Sequence, residues 1–265
     1  MNSSKKIVFF VASFSSIETT APLGILAIST PLLEEGYEIC IIDASITPDY
    51  KKRIMEEVKD ALCLGISLVT GPMIRETVEV AKAKATGAEA LLLVSRLNDA
   101  MLLTRELVKQ RWTPMAVLSM GPGWYEDQYL KTLGRLADGP MSFVPWYDPN
   151  KPLSKQLEAA LAKAHPDVNL NTNHIYTFEA LLIAADAYRR AGSTDPKALA
   201  DAIRATDIAD NVSIGPGIRF DAKGQNATLK NAAIQNRGGK LVTIAPKAAA
   251  NAAPEWPLSA YDKRG

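Results

Sequence analysis

Cysteine and histidine are the scarcest chemical resources of this chain, with two of each in 265 residues. Cys40 and Cys63 stand in apolar strand-like runs, "EICIID" and "ALCLGIS", without CxxC spacing. They read as buried free thiols rather than as a disulfide or a metal pair. His165 in "KAHPDVN" and His174 in "NTNHIYTF" have no carboxylate or cysteine at ligand spacing, so no metal site is expected. An excess of one charge is also missing, because 30 Lys+Arg against 29 Asp+Glu leave a net charge of +1. That balance offers no electrostatic footprint for nucleic acid or an anionic membrane surface. No apolar run approaches the roughly 18 residues that a membrane span requires. The opening "MNSSKKIVFFVASF" places a short apolar stretch behind two lysines, but "SFSSIE" breaks it before any cleavage-like site. It reads as a strand rather than a leader, which makes the expected location cytoplasmic.

Catalytic signatures are missing too. No Gly-x-Ser-x-Gly elbow occurs. "GPGW" at 121–124 and "GPGI" at 215–218 are turn formers and match neither a GxGxxG nor a Walker loop. Gly121 follows a strand, however, and so can still offer backbone amides to a ligand. Asp43 at a strand end lacks the glycine fingerprint that would make it a ribose-binding acid. The four tryptophans, Trp112, Trp124, Trp146 and Trp256, read as core or lid aromatics. The expectation is a chain that is not an enzyme and requires no cofactor.

What is present is strand–helix alternation. "KIVFFVA" is a buried-strand run; "PLGILAISTPLLEEG" is a helix that Pro31 should bend and Gly36 should end. "YEICIIDAS" is a strand, and "TPDYKKRIMEEVKD" a helix with Ile54, Met55 and Val58 on its apolar side. "ALCLGISLVT" and the helix "GPMIRETVEVAKAKATG" follow. The rhythm continues through "AEALLLVS", "LNDAMLLTRELVKQRW", "MAVLSMG", "YEDQYLKTLGRLADG" and a sixth strand or edge segment, "MSFVPWYDP". Apolar runs alternating with amphipathic helices imply right-handed βαβ crossovers and a parallel sheet covered on both faces. The predicted fold is α/β, a flavodoxin-like doubly wound sheet of order 2-1-3-4-5. It is extended by "LSKQLEAALAKA", "YTFEALLIAADAYRRAG" and "STDPKALADAIRAT", the last capped at Ser193 or Thr194. "GIRFDAKGQNA" and "NAAIQNRGGKLVTIAP" are read together as a C-terminal hairpin.

Residues 1–85 and 86–265 carry two different resemblances. "APLGILAISTPLLEEGYEICIIDA" and "ALCLGISLVTGPMIRETVEVAKA" resemble the cobalamin-binding domain of radical-SAM enzymes. That resemblance places a corrin across the strand carboxyl ends at 13–16, 43–45 and 67–71, with Ser13, Ser15, Ser67, Thr70 and Gly71 as residual contacts. There is no Asp-x-His-x-x-Gly motif for an axial ligand and no three-cysteine cluster motif. From Thr86 to about Leu258, "LNDA", "NHIYTFEALLIAADAYRRAGSTDP", "RFDAKGQN" and "EWP" resemble the C-terminal part of a type I periplasmic branched-chain amino-acid binding protein. Such proteins clasp a solute between two α/β lobes; here the resemblance implies Ser95, Arg96, Asn98 and Gly121 as residual ligand positions.

The junction near residue 85 suggests an engineered chimera, a monomeric hybrid scaffold whose two fragments share one sheet and which has no evolved catalytic or transport function and no required partner. The alternative is a small-molecule binding module for cobalamin or a carboxylate-bearing solute at the strand carboxyl ends.

Overall fold

Six residues of almost unbroken apolar character, Lys6–Val11, form strand β1, in which Ile7, Val8, Phe9 and Phe10 are all buried. Burial on both faces is what a central parallel strand demands. The computed structural model describes residues 5–11, 23–67 and 89–264. Within them the chain divides into two compact units: Met1–Ser142 with Gln235–Lys240 and Glu255–Gly265, and Phe143–Ile234 with Leu241–Pro254.

In the first unit β1 is followed by α1 (Leu23–Glu34), β2 (Glu38–Asp43), α2 (Tyr50–Glu57), β3 (Cys63–Ser67), β4 (Ala90–Val94), α3 (Leu97–Lys109) and β5 (Ala116–Ser119). A 3-10 turn (Pro122–Trp124), α4 (Asp127–Leu133), a second 3-10 turn (Gly134–Ala137) and β6 (Met141–Pro145) complete the run. The strands lie in the order β2-β1-β3-β4-β5-β6 and pair in parallel. The expected mixed α/β fold with a mostly parallel sheet is what forms. β1 and β3 pack so closely that a Cβ on Gly65 would lie 2.4 Å from the Phe9 ring, which reserves that position for glycine. Ile54 and Val58 bury the inner face of α2, and the Tyr50 ring stacks on Phe10 at 5.5 Å. Met55, expected on that face, is instead exposed, because the helix is only eight residues long and Ile54 and Val58 fill its contact with the sheet. α1 accommodates Pro31 within its span, and Gly36, at φ 78°, ends it. Cys63 is buried and Cys40 half-buried, both as free thiols; burial raises the Cys63 thiol to about 11. The expected helix over 71–87 lies outside the described residues.

The second unit holds α5 (Pro152–Ala164), α6 (Thr172–Ala191), α7 (Pro196–Arg204) and a short antiparallel ladder of β7 (Asp207–Ile208) with β8 (Ile218–Arg219). Residues 143–145 of β6, 231–234 of β9 (Asn231–Arg237) and 241–245 of β10 (Lys240–Ala245) complete it. The segment "GIRF" therefore pairs with Asp207–Ile208, not with the later strands as anticipated. Strands β9 and β10 are neighbours joined through Gly238 and Gly239, both at positive φ, the conformation that a two-residue reversal requires. The cap of α7 is Asp195, whose carboxylate accepts the Ala198 N–H at 2.9 Å; Ser193 and Thr194 stand two places and one place too early. Trp112, Trp124 and Trp146 are buried as expected, whereas Trp256 is 54% exposed.

Candidate functional site

The carboxyl ends of β4 and β5 bring two loops together. Ser95, directly after β4, is buried, and its Oγ accepts the indole N–H of Trp124 at 2.6 Å. Its carbonyl accepts the Gly123 N–H at 3.2 Å, and the Gly121 N–H donates to Ser119 Oγ at 3.1 Å. A Cβ on Gly121 would lie 2.2 Å from the Ser95 carbonyl oxygen, and one on Gly123 would lie 2.3 Å from the Arg96 carbonyl carbon. Gly121 has an ordinary φ of −99°, so its requirement is one of space: the two loop backbones touch. The motif "GPG" that reads as a turn is thus also a contact surface for the loop after β4.

Arg96 is the extended residue that begins α3; it and Asn98 are exposed. Asp99, in the first turn of that helix, is buried to 1% exposure. Burial pushes its carboxyl above the usual range, and the Arg96 backbone N–H opposes part of that shift. Glu126, which begins α4, is half-buried and is also pushed up by burial, with the Arg96 guanidinium opposing. One cation, two carboxyls of reduced acidity and a tight amide-bearing loop therefore share the carboxyl edge. Asp99 and Glu126 escaped the sequence reading; an acid at the third position of a helix beginning at Arg96 was the available signal for Asp99.

Ser67 is the last residue of β3, in register with Val94, the residue before Ser95. Asp43 ends β2 and is occupied locally, its Oδ1 accepting from the N–H and the hydroxyl of Ser45 at 2.8 and 2.6 Å. Ser13, Ser15, Thr70 and Gly71 lie outside the described residues. His174 serves as a cap, its Nδ1 accepting the Asn171 N–H at 3.3 Å. Among the described residues, no three His, Cys, Asp or Glu side chains gather in a way that would hold a metal ion.

The second unit has its own buried polar knot. Glu179 of α6 accepts the backbone N–H groups of Val212 and Ser213 at 3.0 and 2.7 Å and the Ser213 hydroxyl at 2.7 Å. Lys151 Nζ donates to the Ser213 and Gly215 carbonyls at 2.7 and 2.8 Å, and burial lowers its pKa. These contacts bind the 211–215 loop to α6 and to the start of α5.

A mostly parallel α/β sheet with close-packed loops and polar groups at its carboxyl edge belongs to the open α/β folds, whose ligands lie at that edge. The family model described as periplasmic binding protein matches residues 77–239, more than half of the chain, and the chain belongs to that family. The Leu/Ile/Val-binding protein homolog 7 of Brucella suis is 25% identical over 174 residues, covering 63% of this chain and 43% of that protein. Homolog 8 of Brucella abortus is likewise 25% identical, over 180 residues. The chain spans less than half the length of these curated relatives. A leucine-binding protein from Thermotoga maritima matches in structure with a TM-score of 0.63 at 16% identity, over 91% of this chain and 60% of that one. A branched-chain amino-acid ABC transporter protein from Thermus thermophilus with bound valine gives a TM-score of 0.62 at 13% identity, over 92% and 60%.

These findings overturn several expectations. The engineered or de novo scaffold without evolved function gives way to membership of a natural family of binding proteins. The structural match over 91% of the chain takes in most of the first 85 residues as well, and the resemblance of that stretch to a cobalamin-binding domain is not shown. The cytoplasmic location and the absence of any membrane partner are withdrawn for the same reason: the family is periplasmic, and the similar solved proteins include ABC transporter components.

Proposed function

We propose that this chain is a solute-binding protein of the branched-chain amino-acid type, which takes a small carboxylate-bearing solute without chemical turnover and presents it to a membrane transporter. The observation that carries this reading is the backbone contact of Ser95 with Gly121, which leaves Arg96 and Asn98 facing outward at the carboxyl edge. In this reading Arg96 supplies the charge for the solute carboxylate, and Asn98 and the amides near Gly121 orient it. The flavodoxin-like strand order belongs to the same reading, because it sets the ends of β3, β4 and β5 side by side. Ser67, the last residue of β3, extends the edge on that side.

The test is a thermal unfolding curve with L-leucine, L-valine, 4-methylpentanoate and hydroxocobalamin in turn. A ligand at a hundredfold excess over its dissociation constant adds about 2.7 kcal/mol and raises the midpoint by about 5–10 °C. An upward shift with an amino acid or its deaminated analogue, lost in Arg96→Gln, supports the assignment. If only hydroxocobalamin moves the midpoint, or nothing does at millimolar concentration, the proposal is wrong.

A further inference from the structure

The amino end of the first unit's sheet carries a second feature, independent of the carboxyl edge. α3 terminates in a paired reversal: the Arg111 N–H donates to the Val108 carbonyl and the Trp112 N–H to the Leu107 carbonyl, both at 2.9 Å. That pairing places the residue after the helix in the left-handed region, where glycine is the usual occupant. α1 ends with the same two bonds, Gly36 to Leu33 and Tyr37 to Leu32, both at 3.0 Å, and uses glycine at φ 78°. α3 uses Arg111 at φ 50°, the one non-glycine residue at positive φ among the described residues. A side chain retained against the preference of its backbone points to work done by that side chain.

Arg111 lines a cavity of about 880 Å³ at the helix carboxyl ends and the chain's entry to β5. Arg135, from the 3-10 turn after α4, lines it too, and its guanidinium has no acidic partner among the described residues. The floor is apolar, made by Val108, Leu133 and Leu136. Tyr261 lines it as well, and Asp262 is the one acid among the described lining residues. The lining thus joins two arginines and one aspartate to an apolar floor.

We propose that this cavity is a second ligand site, for an anion carrying an apolar body: a carboxylate on a short aliphatic or aromatic group. Arg111 and Arg135 would pair with the carboxylate, and the hydrocarbon would displace water from Val108, Leu133 and Leu136.

Calorimetric titration of the whole chain with 4-phenylbutyrate tests this, with 4-phenylbutanol and inorganic phosphate as comparison probes. Saturable binding of the carboxylate is expected, with both comparison probes at least about tenfold weaker. Arg135→Gln should weaken binding by about tenfold. Arg111→Gly should do the same while raising the unfolding midpoint, because glycine suits the backbone there. Arg96→Gln should leave the affinity unchanged, which separates this cavity from the carboxyl edge. Equal binding of the alcohol or of phosphate, full affinity in Arg111→Gly, dependence on Arg96, or no binding at millimolar concentration would each overturn the proposal.

Discussion

At the scale of single residues, the carboxyl edge is shaped by groups whose ionisation the fold opposes. Asp99 is buried at the first turn of α3, where the helix N-terminus and the Arg96 amide favour its charge and desolvation disfavours it; desolvation is the larger effect. An acid whose folded pKa is raised binds more protons in the folded than in the unfolded state between the two values. Stability therefore falls as pH rises from the ordinary carboxylate range through the raised pKa, and the loss persists at neutral pH. Asp99→Asn removes the charge at nearly unchanged size. It should raise the unfolding midpoint at neutral pH and flatten the decline between acidic and neutral pH, leaving the part due to Glu126. Midpoints measured across that range for both proteins check this; an unchanged slope would show that Asp99 carries no such penalty.

At the scale of elements, legibility followed how much of an element's burial is local. β1 and β4 are apolar over most of their length; such patterns can be read without knowing any partner. β8 could not be read, since two residues with one outward arginine carry no periodicity, and their partner Asp207–Ile208 is settled by the loop geometry. The site divides in the same way. Gly121 and Ser95 were visible as strand-end residues, but their contact spans 26 positions and depends on the absence of a Cβ, which no spacing rule encodes. Arg111 was invisible because "KQRW" lacks the glycine that normally announces a helix end. Glu179 is a related case, an acid in mid-helix that reads as surface yet is only 6% exposed. It satisfies two loop amides and a hydroxyl at once, so Glu179→Ala would strip buried donors of their acceptor. A loss of about 3–5 kcal/mol in chemical denaturation is expected. A loss below about 1 kcal/mol would mean that water replaces the carboxylate without penalty.

At the scale of the whole molecule, sequence order and compactness part company. Residues 255–264 follow the second unit along the chain but pack in the first. The Leu258 N–H donates to the Met115 carbonyl at 2.9 Å, and the Tyr261 N–H donates to Thr113 Oγ1 at 3.2 Å, so this segment borders the entry to β5. Arg264 fastens it: only 7% exposed, it donates through Nη1 to the Leu136 and Asp138 carbonyls at 3.0 and 2.7 Å and through Nε to Ser259, and stacks 3.9 Å over the Tyr261 ring. Three carbonyls and an aromatic face thus depend on one planar cation. The Arg264→Ala variant should lose about 3 kcal/mol, which lowers the midpoint by about 6–12 °C for a chain of this size. Arg264→Lys separates charge from geometry, because an ammonium cannot reach carbonyls on both sides from one stacked plane. If the fork matters, the lysine variant recovers less than half of the loss. Full recovery by lysine would show that positive charge alone holds the segment, and Tyr261 would then tolerate movement without loss of the first unit's fold.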